Sequence, residues 1–187
     1  MPDSAAERIV GELDQLDRAV YSAVAESTTP SLDEPLRRLS DFANYSKIWI
    51  VAALIIGAAG GSRGRRAALS GLVSIGVTSA IVNQGVKRLT DRPRPDRDGQ
   101  EAPETRFVHM PESTSFPSGH SASGFAFATT VGGSLPVAGV LLRFLAAAVA
   151  YSRVHTGVHY PGDVVIGTLI GGSIGGIVSR VSRRLVS

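Results

Sequence analysis

The sequence predicts an all-α protein, a multi-pass transmembrane helical bundle of about five spans preceded by N-terminal amphipathic interfacial helices. Three observations carry that reading. Four long stretches, 48–62, 67–86, 121–142 and 164–179, contain no charged residue. Glycines recur at four-residue spacing in the last of them, as Gly167, Gly171 and Gly175. The charge is also split along the chain: positions 1–44 hold nine acids, starting at Asp3, and four arginines, whereas from Lys47 onward fifteen bases face seven acids.

Residues 1–44 form a first segment that cannot span a membrane. Over 5–26, Ile9, Val10, Leu13, Leu16, Val20 and Val24 recur with acids between them, the stripe of an amphipathic helix. Thr28-Thr29-Pro30 breaks it, and 31–42 reads as a second short amphipathic helix opened by a Ser31 cap. A positively charged start followed by an apolar stretch is absent, so no signal peptide is expected. Both helices are expected on the membrane surface or against the bundle.

Residues 45–187 form the membrane-embedded domain, with helices near 46–62, 66–86, 118–134, 137–155 and 162–179. Pro136, following Gly132-Gly133-Ser134, divides the third uncharged stretch in two. A soluble bundle of buried helices is the alternative, but five such runs leave few polar faces to meet water. Gly167, Gly171 and Gly175, with Gly172 and Gly176 as a second register, let helix backbones approach closely in lipid. They also offer a face for assembly into a homo-oligomer.

Composition removes other classes. The 187 residues include no cysteine, which excludes a disulfide scaffold, a CxxC redox motif and thiolate metal sites. A basic chain raises the question of nucleic acid. Here the basic residues lie between long uncharged stretches, so membrane lipids and not nucleic acid are the expected partners.

The chemistry gathers at helix ends. A loop over 87–120 is dense in Arg, Pro and Asp and lacks the pattern of a span, a repeat or a strand pair; loops of this length are functional or disordered. Lys87 and Arg94-Pro95 begin it, Pro117-Ser118-Gly119-His120 ends it, and Ser152-Arg153, His155, His159 and Asp163 lie between the last two helices. Counting helix ends brings all three segments to one side of the bundle. Lys87, Arg94 and Arg153 supply fixed cations, two of them able to fork onto phosphate oxygens. Ser118 and Gly119 open a helix whose free N–H groups face an anion. Asp163, four residues after His159, can hold one ring N–H and leave the other nitrogen as a nucleophile. With His120 as a second imidazole, the set describes phosphoryl transfer.

These three segments resemble the type 2 phosphatidic acid phosphatase family, whose members are related to vanadium haloperoxidases. That family carries Lys, six residues, Arg-Pro; then Pro-Ser-Gly-His; then Ser-Arg, five residues, His, three residues, Asp. Lys87 to Pro95, Pro117 to His120, and Ser152 to Asp163 match without departure. The resemblance implies that His159 is the nucleophile forming a phosphohistidine, with Asp163 orienting it and His120 protonating the leaving oxygen. It implies that Lys87, Arg94, Ser118, Gly119 and Arg153 hold the phosphate, with no metal or other cofactor.

The His155/His159 pair has the spacing of a helical zinc site, but a third ligand is not evident and Arg153 would repel a cation. His109 reads as an exposed loop residue. Arg88, Arg92 and Arg97 read as attracting a headgroup or solvating the loop.

The expected function is therefore hydrolysis of a phosphomonoester on a lipid. Small, Arg-rich members with this layout resemble actinobacterial cell-envelope enzymes, which implies a polyprenyl-linked substrate such as decaprenylphosphoryl-5-phosphoribose. Phosphatidic acid, phosphatidylglycerol phosphate and undecaprenyl pyrophosphate are the alternatives. Soluble phosphate esters, or haloperoxidase chemistry with bound vanadate, fit the apolar runs poorly. A module that binds anionic lipid without turnover would use the basic loop, yet leaves His120, His159 and Asp163 unexplained.

Orientation follows from charge. Arg63, Arg65 and Arg66 in one short link, and Arg180, Arg183 and Arg184 at the C-terminal end, lie without acids, which predicts a cytoplasmic side for both. The catalytic segments and residues 1–44 then face outward from a bacterial plasma membrane. The loop over 87–120 opposes that rule with its own bases, which are assigned instead to phosphate binding.

Overall fold

The structure is a computed structural model and describes residues 5–97 and 102–185. Asp3 in the acidic segment, positions 98–101 of the loop and the last two residues of the second segment lie outside the described residues. Every regular element among the described residues is helical. Helices α1 (Ala5–Ala25) and α2 (Pro30–Phe42) come first. Five helices follow: α3 (Lys47–Ala59), α4 (Gly61–Ser79), α5 (Gly119–Gly132), α6 (Pro136–His155) and α7 (Pro161–Arg184).

All five predicted runs are helices; the ends of α3, α5 and α6 lie close to expectation, whereas α4 covers Gly61–Ser79 instead of 66–86 and α7 runs on to Arg184 instead of ending at 179. Length separates them. Three, Gly61–Leu89, Pro136–His155 and Pro161–Arg184, are long and apolar enough to cross a membrane; α2 with α3, bent by 69°, gives a fourth if taken as one span. Among the described residues, three to four candidate spans thus meet that test of length and composition. The 14 residues of α5 rise only about 21 Å, short of a bilayer core. It does not need that length, because α4, α6 and α7 sheathe it. Ala122, Ala126, Phe127, Ala128 and Val131 of α5 are fully buried. Trp49 of α3 packs on Phe127 with ring centroids 5.7 Å apart, and Leu142, Ala146 and Val149 of α6 complete this core.

The glycine stripe of α7 is used within the chain. A Cβ on Gly167 or Gly175 would stand 2.5 Å from the carbonyl oxygen of Ser118 or Ala126, and one on Gly171 would collide with that of Ala122. These three glycines seat α7 against α5, the close approach that small residues permit in lipid. Gly172 and Gly176 meet nothing within 4 Å and face outward.

Beyond Ser79, α4 loosens into a π-helical turn, Ala80–Gly85, and a 3₁₀ turn, Val86–Leu89. The α2–α3 connection is an elbow in which Tyr45 and Ser46 take left-handed backbone angles, with φ of 57° and 58°. At the other end of the bundle Arg183 donates to the Gly133 carbonyl at 2.9 Å, so the α5–α6 turn and the end of α7 meet there.

The N-terminal helices dock on α6, α7 and the loop. Helix α2 begins at Pro30, one residue before the expected Ser31 cap, with proline in the first turn where its missing N–H costs nothing. Tyr21 and Ala25 of α1 pack with Val154 and Tyr160. The apolar stripe of α1, Ile9, Val10, Leu13, Leu16 and Val20, is exposed, so the helix meets the bundle along a different edge. Arg106, 1% exposed, ties these pieces together. It donates to Asp33 of α2 at 2.9 Å, to the Ala25 carbonyl ending α1 at 2.9 Å and to the Ser27 carbonyl at 2.9 Å.

Overpacking a tight contact costs about 1–3 kcal/mol. Gly171→Ala is therefore expected to lower the thermal midpoint of the detergent-solubilised protein by several degrees, whereas Gly172→Ala should leave it level or raise it. Equal responses would contradict the seating of α7 on α5.

Candidate active site

One end of the bundle gathers the predicted chemistry. The end of α4, the loop, the first turn of α5, the α6–α7 turn and the α2–α3 elbow surround a cavity of about 560 Å³. Lys87, Arg94, Gly119, His120 and His159 line it. Ser118, Arg153 and Asp163 are buried beside these residues and outside the lining.

His159 and Asp163 form the pair expected from their spacing. The His159 Nδ1 lies 3.4 Å from Asp163 Oδ2, and its Nε2 lies 3.4 Å from Arg94 Nη1. Asp163 is fully buried and occupies the third position of α7. Its Oδ2 accepts the Tyr160 backbone N–H at 2.9 Å, closing a capping box, and also accepts the Ser115 hydroxyl. Its Oδ1 accepts Arg92 Nη1 at 2.7 Å. An anion at a helix start is favoured by the dipole, so the chain folds Asp163 into place for its own helix and presents it to His159. Burial, opposed by Asp163 and reinforced by Arg94 and Arg153, pushes the His159 imidazole down to about 4. That leaves it neutral at physiological pH, with Nδ1 facing Asp163 and Nε2 facing Arg94.

Cations stand close by. Lys87 Nζ donates to Ser113 Oγ at 3.2 Å and to the Thr114 carbonyl at 2.9 Å. Arg94 donates to the Val158 carbonyl at 2.8 Å and the Ser113 carbonyl at 2.9 Å. Burial lowers Arg94 to about 10, which leaves it charged. Arg153 reaches away to α2, donating to Ser40 Oγ at 2.7 Å, while its buried Nε has no partner. The Ser118 hydroxyl caps α5, accepting the Ser121 N–H at 3.4 Å, and its own N–H donates to the Asp163 carbonyl at 2.9 Å.

The remaining histidines separate. His120 Nε2 stands 3.1 Å from Asn44 Oδ1. His155 is the last residue of α6, with its Nε2 2.9 Å from Asp33, while His159 lies beyond the helix. They therefore do not form a helical pair. His109 is exposed, as expected, and also lines the cavity.

Several residues at the site lie outside the sequence reading. Asn44 and Asn83 both line the cavity; the π-helical turn carries Asn83, whose Nδ2 donates to Ser79 Oγ at 3.0 Å. Such turns often mark functional positions, but a motif search does not find them. Arg92 and Arg97 are not solvating residues. Arg97 clamps the loop to the α6–α7 turn through the carbonyls of Val108, Thr156 and Gly157 at 2.8, 2.9 and 3.1 Å. Tyr160 and Ser115 also escape notice, because only the fold brings them to Asp163.

An imidazole oriented by a carboxylate, facing lysine and arginine at the end of a membrane bundle, defines a membrane phosphatase. Residues 67–187 match the PAP2 superfamily, and the chain belongs to that family. The decaprenylphosphoryl-5-phosphoribose phosphatase of Mycobacterium tuberculosis, in strains CDC 1551 / Oshkosh and ATCC 25618 / H37Rv, is 36% identical over 165 residues, covering 87% of this chain and 86% of the relative. Among solved structures, the transmembrane PAP2-type phosphatidylglycerolphosphate phosphatase from Bacillus subtilis superposes with a TM-score of 0.72 at 25% identity, covering 92% of this chain and 87% of that one. Aquifex aeolicus LpxE shares the fold, with a TM-score of 0.66 at 22% identity over 88% of this chain and 95% of that one.

A reaction that uses the neutral His159 imidazole is lost as pH falls through about 4 and is retained above it. The ratio kcat/KM, corrected for substrate ionisation, should hold from neutrality down to about pH 5 and then decline. Half-loss already at pH 6.5 would contradict the burial of this imidazole.

Proposed function

We propose that this membrane phosphatase removes a phosphate monoester from a polyprenyl-linked cell-envelope precursor, of which decaprenylphosphoryl-5-phosphoribose is the leading candidate. The observation that carries the reading is the His159–Asp163 pair, 3.4 Å apart beside a cavity that Lys87, Arg94 and His120 also line. The name of the 36%-identical relative supports the substrate. So do Asn44, Ser46, Ser79, Asn83 and Ser123, which line the same cavity and suit the hydroxyls of a sugar.

In this mechanism His159 Nε2 attacks phosphorus and the bond to the lipid-sugar oxygen breaks, while His120 delivers a proton to that oxygen. Lys87 and Arg94, with Arg153 and the Gly119 N–H at the head of α5, stabilise charge on the phosphoryl oxygens, while the Ser118 N–H is already given to the Asp163 carbonyl. Asp163 holds the imidazolium character that develops on His159. Water then attacks the phosphohistidine, His120 takes its proton, the P–N bond breaks and inorganic phosphate leaves. The fixed cations supply the charge stabilisation that a divalent ion would give, so no metal is required.

The test is phosphate release by purified protein from decaprenylphosphoryl-5-phosphoribose, phosphatidylglycerol phosphate, phosphatidic acid and undecaprenyl pyrophosphate. The first should be preferred, with turnover unaffected by EDTA and absent in His159→Ala, which should still bind lipid. Preference for phosphatidylglycerol phosphate would transfer the reading to the chemistry named for the Bacillus subtilis neighbour. Turnover retained in His159→Ala would falsify the mechanism.

We also propose that the site faces outward from the bacterial plasma membrane. The support is that Arg63, Arg65 and Arg66 and the end of α7 carry the acid-free positive charge expected of cytoplasmic segments. Single cysteines at Ser62 and Glu104, both exposed positions, test this in a chain that otherwise lacks cysteine. A membrane-impermeant maleimide on intact cells should label position 104 and spare position 62; the reverse would invert the topology. Any assembly of copies would use the outward Gly172 and Gly176, since the other glycine register is filled by α5.

A further inference from the structure

Asp163 has two oxygens, and the family motif accounts for only one of them. Oδ2 serves His159, while Oδ1 accepts Arg92 Nη1 at 2.7 Å. The other terminal nitrogen of the same guanidinium, Nη2, donates to Asp17 Oδ2 at 2.6 Å and Asp14 Oδ1 at 3.0 Å, both on α1. The guanidinium carbon also sits 4.5 Å from the centre of the Tyr160 ring. Arg92 is therefore fixed on every side, with its side chain 20% exposed against a carboxylate that is fully buried.

Helix α1 brings one edge to this arrangement. Asp14, Asp17, Arg18 and Tyr21 follow the three-and-four spacing of a single helical face. Arg18 pairs with Asp14 at 2.7 Å and donates to the Tyr160 hydroxyl at 3.1 Å. Asp17 Oδ1 accepts the Gly162 N–H at 2.6 Å, one residue before Asp163. Tyr21 meets the Tyr160 ring edge-on at 5.5 Å. Sequence separations of 71 to 145 residues are bridged by these contacts.

We infer that Arg92 is a positioning residue for catalysis: clamped by Asp14 and Asp17 of α1, it fixes the Asp163 carboxylate and, through it, the ring of His159. The inference rests on the reading of His159 as nucleophile. A guanidinium suits the task because its planar fork addresses two carboxylate groups at once in fixed geometry, which an ammonium cannot do. Without the fork, Asp163 keeps Ser115 and the Tyr160 N–H on Oδ2 but loses the partner that sets its rotation. Misplacement of a reacting group by about 1 Å is enough to cost on the order of 10²-fold in rate. Helix α1, outside all three motif segments, thereby becomes part of the catalytic apparatus.

Arg92→Gln should lower kcat on the order of 10²-fold while KM changes little, because Lys87 and Arg94 still hold the phosphate. A second readout separates positioning from damaged packing. His159 is faced by Arg94, Lys87, Arg153, His120 and Asp163, and Asp163 by Arg92 and Ser115. Deleting one cation from this set makes the His159 imidazole more basic, so the acid limb of kcat/KM should move to higher pH. Arg92→Lys keeps the charge and should leave that limb in place while recovering only part of the rate.

Should Arg92→Gln fail to fold, Asp14→Asn/Asp17→Asn leaves Arg92 in place and removes its clamp. That pair should cost about tenfold in kcat in the parent and nothing further in an Asp163→Asn background, the non-additivity of residues acting through one group. Parent-like kcat in Arg92→Gln, an unmoved acid limb, or equal cost of the pair in both backgrounds would overturn the inference. If His159→Ala is inactive and Arg92→Gln is not impaired, the relay alone fails. If His159→Ala turns over normally, the nucleophile assignment fails first and the relay with it.

Discussion

The site depends on one buried carboxylate. Asp163 caps α7 through the Tyr160 N–H, accepts Ser115, anchors Arg92 and faces His159, while its backbone carbonyl accepts the N–H of Ser118 at the head of α5. A charge with no exposure survives only when it is fully hydrogen-bonded. The elements that satisfy Asp163 are the same ones that surround the cavity. Folding the start of α7 and placing a carboxylate against His159 are thus a single act, and a residue that served only one of them would leave the other unmade.

The bundle gives that carboxylate a rigid setting. Helix α5 is too short to cross lipid by itself but is held on all sides, with α7 drawn against its backbone by three glycines. Ser118, Gly119 and His120 head α5, and Asp163 heads α7, so the close backbone packing of those two helices fixes these groups relative to each other. The loosening of α4 into a π turn falls at the cavity, where helical regularity yields to the placement of Asn83.

Much of this was legible in the sequence. Uncharged runs located the five helices, and three short segments named the residues that gather at one end, because their types and spacings are dictated by the chemistry of phosphate. Span lengths were less legible, since hydropathy does not reveal that α5 is shielded by its neighbours. Asn44 beside His120, and Arg92 between Asp14, Asp17 and Asp163, were invisible for another reason. Each contact joins segments more than 70 residues apart, and an arginine in a Pro- and Asp-rich loop carries no local sign that it will be buried. The amphipathic stripe of α1 was read correctly as a helix, but its polar side held the information about the site.

The clamp at Arg106 bears on where this protein can be divided. Hydrophobicity draws a boundary near residue 44, yet Arg106 and His155 both rely on Asp33, Arg153 on Ser40, and Arg92 on Asp14 and Asp17. Cutting the chain there would strand buried donors and cations, and each broken buried pair costs about 3–5 kcal/mol. The amphipathic helices are therefore bound into the same packed structure as the bundle. They supply the counter-charges for the cavity end of the bundle, and the cooperative unit of folding begins well before the first membrane-crossing residue.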